Sequence, residues 1–241
     1  MWTLSNQDLK KLWINVRDIL PANIYNSTNR YMNNTLATLK NMVMWGKATM
    51  DTCLACKENS QSLLHVVSGC KVHLQQGRYT WWHNSILATL LSKIHGLRGL
   101  KVFADIPGYP CPTIVTGTLR RPDVIIVYQE KIAIVLELTC GFVTNLKENC
   151  ARKVGKYNSS TVDLKKKYEK VTFVNLSMSA LGLICRDDDG NGILQALKSI
   201  GLSELLSKNI IRNIINICIR TTYYIFCRKD KEWTNPELLT F

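Results

Sequence analysis

Acidic residues are scarce in this chain. Its 241 residues carry 18 Asp and Glu against 31 Lys and Arg, a formal net charge of +13. That balance favours a polyanionic partner, held through phosphate contacts and counterion release. No apolar run approaches the length of a membrane span, so no membrane partner is expected. The start, Met1-Trp2-Thr3-Leu4, has no basic region followed by an apolar core, so no secretory signal is expected either. No internal repeat is apparent. Paired cysteines are missing too: nine is an odd number, and Cys111, Cys140, Cys150, Cys185, Cys218 and Cys227 show no pairing logic. Several sit in apolar runs such as Ile217-Cys218-Ile219, where a free thiol behaves as a small hydrophobe. This suits a reducing, intracellular setting, nuclear if DNA is the target. With 46% hydrophobic residues, wholesale disorder is excluded.

The pattern along the chain predicts an α/β protein, a small mixed sheet flanked by helices. Residues 1–48 read as a helical N-terminal segment: Leu9, Leu12, Trp13, Val16, Ile19 and Leu20 recur at helical spacing and Pro21 stops the run. A polar connection around 26–34 and a second short helix ending near Gly46 follow. Residues 49–95 hold a Cys/His cluster and an amphipathic helix over 79–95. Residues 96–241 form the main domain. A loop-rich stretch with Gly96, Gly99, Pro107, Gly108, Pro110 and Pro112 comes first. Strands over 124–128 and 132–138 then make a hairpin, a helix covers 145–157, and 171–176 is a third strand. Two Ile-rich helices over 193–208 and 210–227 close the pattern.

Two constellations carry chemistry. Cys53, Cys56, His65 and Cys70 are spaced Cys-x2-Cys-x8-His-x4-Cys. A Cys-x2-Cys pair lets two thiolates converge on one metal, and Cys70, just after Gly69, can fold back to complete a tetrahedron with His65. Three thiolates and an imidazole close the coordination sphere, the structural type of zinc site, with no position left for substrate. His73 and His83 are spare histidines nearby. Lys57, Lys71 and Arg78 stand ready for nucleic-acid contacts around this segment.

The second set is Asp123, Glu137, Lys153, Lys156 and Tyr157. Pairing the two strands about Glu130 sets Tyr128 against Ile132, Ile126 against Ile134 and Asp123 against Glu137. Opposed residues of an antiparallel pair share a face at about 5 Å. Two acids therefore meet at the open end of the hairpin, where a carboxylate needs a cation or hydrogen-bond donors. On a helix, Lys153, Lys156 and Tyr157 lie at i, i+3 and i+4, one face. Converging carboxylates that hold magnesium, with a lysine beside them, are what metal-dependent phosphodiester cleavage requires.

Together these residues resemble a family: the C-terminal part of non-LTR retrotransposon polyproteins, where a reverse transcriptase is followed by a Cys-Cys-His-Cys zinc knuckle and a restriction-enzyme-like endonuclease of the PD-(D/E)xK superfamily. The resemblance covers about residues 35–241. It is carried by the knuckle, by Gly77-Arg78-Tyr79-Thr80-Trp81-Trp82-His83-Asn84-Ser85-Ile86-Leu87, by Arg121-Pro122-Asp123, by Leu136-Glu137-Leu138-Thr139 and by Arg152-Lys153-Val154-Gly155-Lys156-Tyr157. It implies that Asp123 and Glu137 bind a catalytic magnesium, that Lys153 is the catalytic lysine, and that Lys156 and Tyr157 complete the site. The implied reaction nicks target DNA to prime reverse transcription, with RNA as a further ligand and a reverse transcriptase domain as partner in a longer polyprotein. No reverse transcriptase motif is in this chain, since Phe103-Ala104-Asp105 lacks a second Asp. Trp82 stands where such elements often have Arg, and Gly141-Phe142-Val143 where a Pro-aromatic-Glu run is expected. The alternative reading is a catalytically decayed or domesticated nucleic-acid-binding protein.

Overall fold

Asn6 starts the first helix by accepting the Leu9 amide on its side-chain oxygen at 2.9 Å, the usual role of Asn at a helix N-cap. Helix α1, Gln7–Asp18, turns Leu9, Leu12, Trp13 and Val16 inward. Ile19, read as part of the same apolar stripe, lies beyond the last turn and is 77% exposed. The computed structural model describes residues 5–119, 121–146, 148, 151, 163–185, 192–234 and 236–237. Pro21 ends one helix and also begins the next. Helix α2, Ala22–Met32, occupies the stretch read as a polar connection. Its Asn and Ser residues face outward, while Ile24, Thr28 and Tyr31 are buried at helical spacing. Helix α3 spans Leu39–Met44, capped by Thr38, whose hydroxyl accepts from the Asn41 amide.

A π-helical turn, His65–Gly69, and the short α4, Lys71–Gln75, lead into α5, Arg78–Ile94. The Gly77 backbone at φ 73° makes the corner between α4 and α5, a conformation that costs glycine little. Strand β1, Leu100–Ala104, then appears inside the stretch read as loop-rich. Four residues, Thr113–Thr116, form α6. Strands β2, Val124–Tyr128, β3, Ile132–Gly141, and β4, Lys170–Ser179, complete a four-stranded sheet in the order β1-β2-β3-β4. The β1/β2 and β2/β3 pairs are antiparallel and β3/β4 is parallel. The protein is therefore mixed α/β, with a mixed sheet flanked by helices, as the pattern predicts; the strand missing from that prediction is β1.

Strand parity divides the sheet's two faces. Val124, Ile126, Ile134, Leu136, Val174 and Leu176 join one core with α1, α5 and the closing helices. Ile125, Val127 and Val135 face the other way, onto Val115 and Leu164. With both faces covered, β3 reads as an almost continuous apolar run, the pattern of a doubly buried central strand. Helix α7 spans Ile193–Ser199 and α8 Glu204–Cys227. Their break falls at residues 200–203, where the Ser203 hydroxyl caps α8 by accepting the Leu206 amide, and not near Asn209. Helix α8 packs on α5 and α1. Trp13, fully buried on α1, donates its indole N–H to the Leu181 carbonyl at 2.6 Å, 168 residues away.

Candidate functional site

The metal-binding segment is built by backbone turns. The Cys53 amide donates to the Asn59 carbonyl and the Lys57 amide to the Cys53 carbonyl, both at 2.8 Å. This knuckle points Cys53 and Cys56 the same way. Ser62 caps the following turn through the His65 amide. The π-helical turn then swings His65 toward the thiols, and Cys70 closes the ring. The ligand atoms of Cys53, Cys56, His65 and Cys70 all lie within 4.8 Å of one another, and all four residues are buried. His65 Nε2 sits 3.4 Å from Cys56 Sγ.

The electrostatics of this cluster are compatible with a bound cation. Burial opposes charge on the Cys56 thiol, but hydrogen bonds from the backbone N–H groups of Glu58 and Asn59 and from Cys53 and Cys70 outweigh it, so Cys56 lies below the usual thiol range. Cys70 is pushed up to about 11, first by burial and then by the charges of Cys53 and Cys56. Burial also lowers His65, keeping its imidazole neutral and able to act as a ligand. Packed thiolates repel one another, and a divalent metal relieves that repulsion while replacing their protons. The donor set fits a metal such as zinc. His73 is no rival ligand: its Nδ1 faces the Val66 carbonyl at 3.1 Å and its Nε2 the Lys229 carbonyl at 3.0 Å.

Arg78, read as a nucleic-acid contact, has a different role. It is 1% exposed. Its guanidinium donates to Gln76 Oε1 and to the carbonyls of Arg228 and Lys231, and it lies over the Trp233 ring. Gln61 Nε2 donates to Asp230 Oδ1 at 2.6 Å. These contacts clasp the residues after α8 onto the metal-binding segment. Lys71 is exposed and paired with Glu58.

The hairpin pairs in the predicted register. Tyr128 opposes Ile132 and Ile126 opposes Ile134. One step beyond the ladder, the Asp123 amide donates to Glu137 Oε1 at 3.2 Å, and the Leu138 amide donates to Asp123 Oδ2 at 2.7 Å. Glu137 is fully buried, while the Asp123 side chain keeps 16% of its surface. On β4, Asn175 lies in register with Glu137, and Ser177 donates its hydroxyl to Asn175 Oδ1 at 2.7 Å. Lys153, Lys156 and Tyr157 lie outside the described residues. Thr139, two residues after Glu137, is buried, and its hydroxyl has no hydrogen-bond partner among the described residues.

The structure adds His83, read from the sequence as a spare histidine. Its Nε2 lies 3.4 Å from Asp123 Oδ2, and its Nδ1 faces Asn84 Oδ1 at 3.1 Å. No local pattern ties α5 to the start of β2; the link exists only once α5 packs on β3. Beside it opens a cleft of about 260 Å³, lined by Val67 and Ser68 of the π-helical turn, by Tyr79, Trp82 and His83 of α5, and by Leu138, Thr139 and Cys140 of β3. The Cys/His segment and His83, the neighbour of Asp123, thus border one cavity.

No protein-family model matches this chain, and no curated protein matches it. Among the described residues no helix is long and apolar enough to cross a membrane.

Proposed function

We propose that this chain is the zinc-knuckle and endonuclease region of a non-LTR retrotransposon polyprotein, or of a protein derived from one, and that it nicks DNA with a divalent metal. The observation that carries this reading is the meeting of Asp123 and Glu137 at the end of the β2/β3 hairpin, with His83 on the outer carboxylate. A small mixed sheet flanked by helices is the framework that a restriction-enzyme-like nuclease requires. The net charge of +13 supports DNA as the partner, with RNA as a second polyanion and a reverse transcriptase domain in the same polyprotein. DNA as the target also implies a nuclear site of action.

Asp123 and Glu137 offer hard oxygen donors, which suit magnesium. When bound, such an ion supplies a Lewis acid for the phosphate and lowers the pKa of a bound water. The protein's own groups do the rest. The Leu138 amide fixes the Asp123 carboxylate, and the Asp123 amide fixes Glu137, so both acids are held before any ligand arrives. His83 borders Asp123 on the cleft side, where it can hold a proton or a phosphate oxygen. Lys153 is assigned to the charge that develops on the phosphate, with Lys156 and Tyr157 completing the site. The Cys53, Cys56, His65 and Cys70 cluster is assigned to structural zinc.

A second reading, a non-catalytic nucleic-acid-binding protein, is favoured by the full burial of Glu137 and by Val143 in place of an acid. Supercoiled plasmid separates the two when incubated with Mg2+ or Mn2+ and either wild type or Asp123→Ala. Nicking by wild type alone supports the nuclease. DNA retention without nicking by either protein supports the second reading.

A further inference from the structure

We propose that the cleft between the metal-binding segment and the end of β3 seats one nucleobase, drawn out of the stack beside the phosphate to be cut. This rests on the nuclease reading above. Two residues of the cleft wall touch the same carboxylate oxygen: the Leu138 amide at 2.7 Å and His83 Nε2 at 3.4 Å both meet Asp123 Oδ2. The cavity therefore begins one hydrogen bond from the acid pair. A nucleotide whose phosphate rests against Asp123 has its base one sugar away, at the mouth of this cavity.

Size and chemistry agree with that occupant. About 260 Å³ is just below the ~300–1,000 Å³ of sites for drug-sized ligands, which suits a single ring system. Among the described residues, the wall has the partly exposed rings of Tyr79 and His83 beside the buried Trp82 and Leu138, and no Lys, Arg, Asp or Glu. The two partly exposed rings suit a π-face, which stacks on aromatic side chains whatever the base. Trp82 Nε1 and Thr139 Oγ1 belong to wall residues that are 2% and 9% exposed, and neither atom has a hydrogen-bond partner among the described residues. Buried polar atoms are rarely left so. Both atoms lie beneath the cleft wall, and they come within reach of a base edge only when the wall side chains turn toward it.

Extruding a base from a duplex costs a few kcal/mol, and least where the base is already mispaired. The test measures binding by fluorescence anisotropy in Ca2+, using duplex oligonucleotides with a central T·T mismatch, their fully paired counterparts, and duplexes with an abasic nucleotide in place of the mismatched thymidine. Wild type is expected to bind the mismatch about tenfold more tightly than the paired duplex, and the abasic duplex no better than the paired one. Ser68→Phe, which fills the cleft from its exposed side, is expected to abolish the mismatch gain while keeping equimolar zinc. Cys140→Phe does the same from the opposite wall and decides the matter if Ser68→Phe loses zinc. Equal affinity for mismatched and paired duplexes, or a gain that persists in both filled variants, overturns the proposal. Plasmid nicking run in parallel separates the two claims. Nicking without a mismatch gain overturns the base seat alone, a gain without nicking overturns the nuclease alone, and the absence of both overturns both.

Discussion

Asp123 and Glu137 are joined through the backbone of one and the side chain of the other: the Asp123 amide donates to Glu137 Oε1 at 3.2 Å. The contact places two acidic side chains at one strand end, the arrangement on which the proposed magnesium site rests. Asp123→Ala removes the more exposed acid. It is expected to lower the nicking rate by at least ~1,000-fold, because a metal's charge stabilisation is worth several kcal/mol and each ~1.4 kcal/mol is a factor of ten. Zinc content and DNA affinity, measured on the same sample, should stay at wild-type values. Nicking that survives the substitution removes Asp123 from the mechanism.

Cys56→Ser takes one thiolate from a buried four-ligand set. Structural zinc contributes on the order of 10–16 kcal/mol to the folding of small zinc modules. The variant should lose its metal and melt at lower temperature. Elemental analysis of purified protein is decisive: less than one equivalent of zinc in wild type, or an unchanged content in the variant, rejects the site.

The same cluster sets a pH dependence. Cys70 is raised from 9.0 to about 11, chiefly by burial. A raised folded-state pKa means that its neutral thiol adds stability below pH 9 and that this contribution is lost as pH rises through 11. Metal-stripped protein should therefore lose thermal stability between those values. Zinc-loaded protein, whose thiolates are already ligated, should not. Parallel melts of the two forms from pH 8 to pH 11 check the sign.

Trp13 ties α1 to the core through its indole and its N–H bond to Leu181. Trp13→Phe keeps most of the ring but strands the buried carbonyl, at a cost of about 1–3 kcal/mol. Trp13→Ala leaves a cavity and costs about 3–5 kcal/mol. Urea unfolding with one shared transition would show α1 melting with the sheet. A separate, earlier transition for the α1 residues would contradict it.

Arg78→Met tests the change of role for that residue. It strands carbonyls that Arg78 now satisfies, each worth about 1–3 kcal/mol, so the loss should appear in urea stability. DNA affinity at a fixed salt concentration should be unaltered. A weakened affinity with stability intact would restore Arg78 as a phosphate contact.

The hairpin register was legible because its side chains alternate between two buried faces, and slipping Ile126 off Ile134 by one residue would exchange those faces. The Cys-x2-Cys spacing was legible because ligand type and spacing are both local. Helix α2 was not, since its Asn and Ser residues mask the three inward positions Ile24, Thr28 and Tyr31. Strand β1 escaped because Leu100–Ala104 is a five-residue edge strand, only partly covered, among glycines and prolines. The α7/α8 break was misjudged because Ile-rich sequence runs past it, while the Ser203 cap is a single residue. His83 escaped for another reason: its partner is 40 residues away, and only the packing of α5 on β3 brings them together.

Arg78 waits for acceptors 150 and 153 positions downstream. As the chain emerges from a ribosome, the Cys/His cluster is complete once Cys70 is out, and it can capture its metal at that point. Its docking onto the rest of the molecule cannot finish until residues 228–233 have followed. During that interval of synthesis, the early segment has its Cys/His cluster but not yet the clasp from residues 228–233.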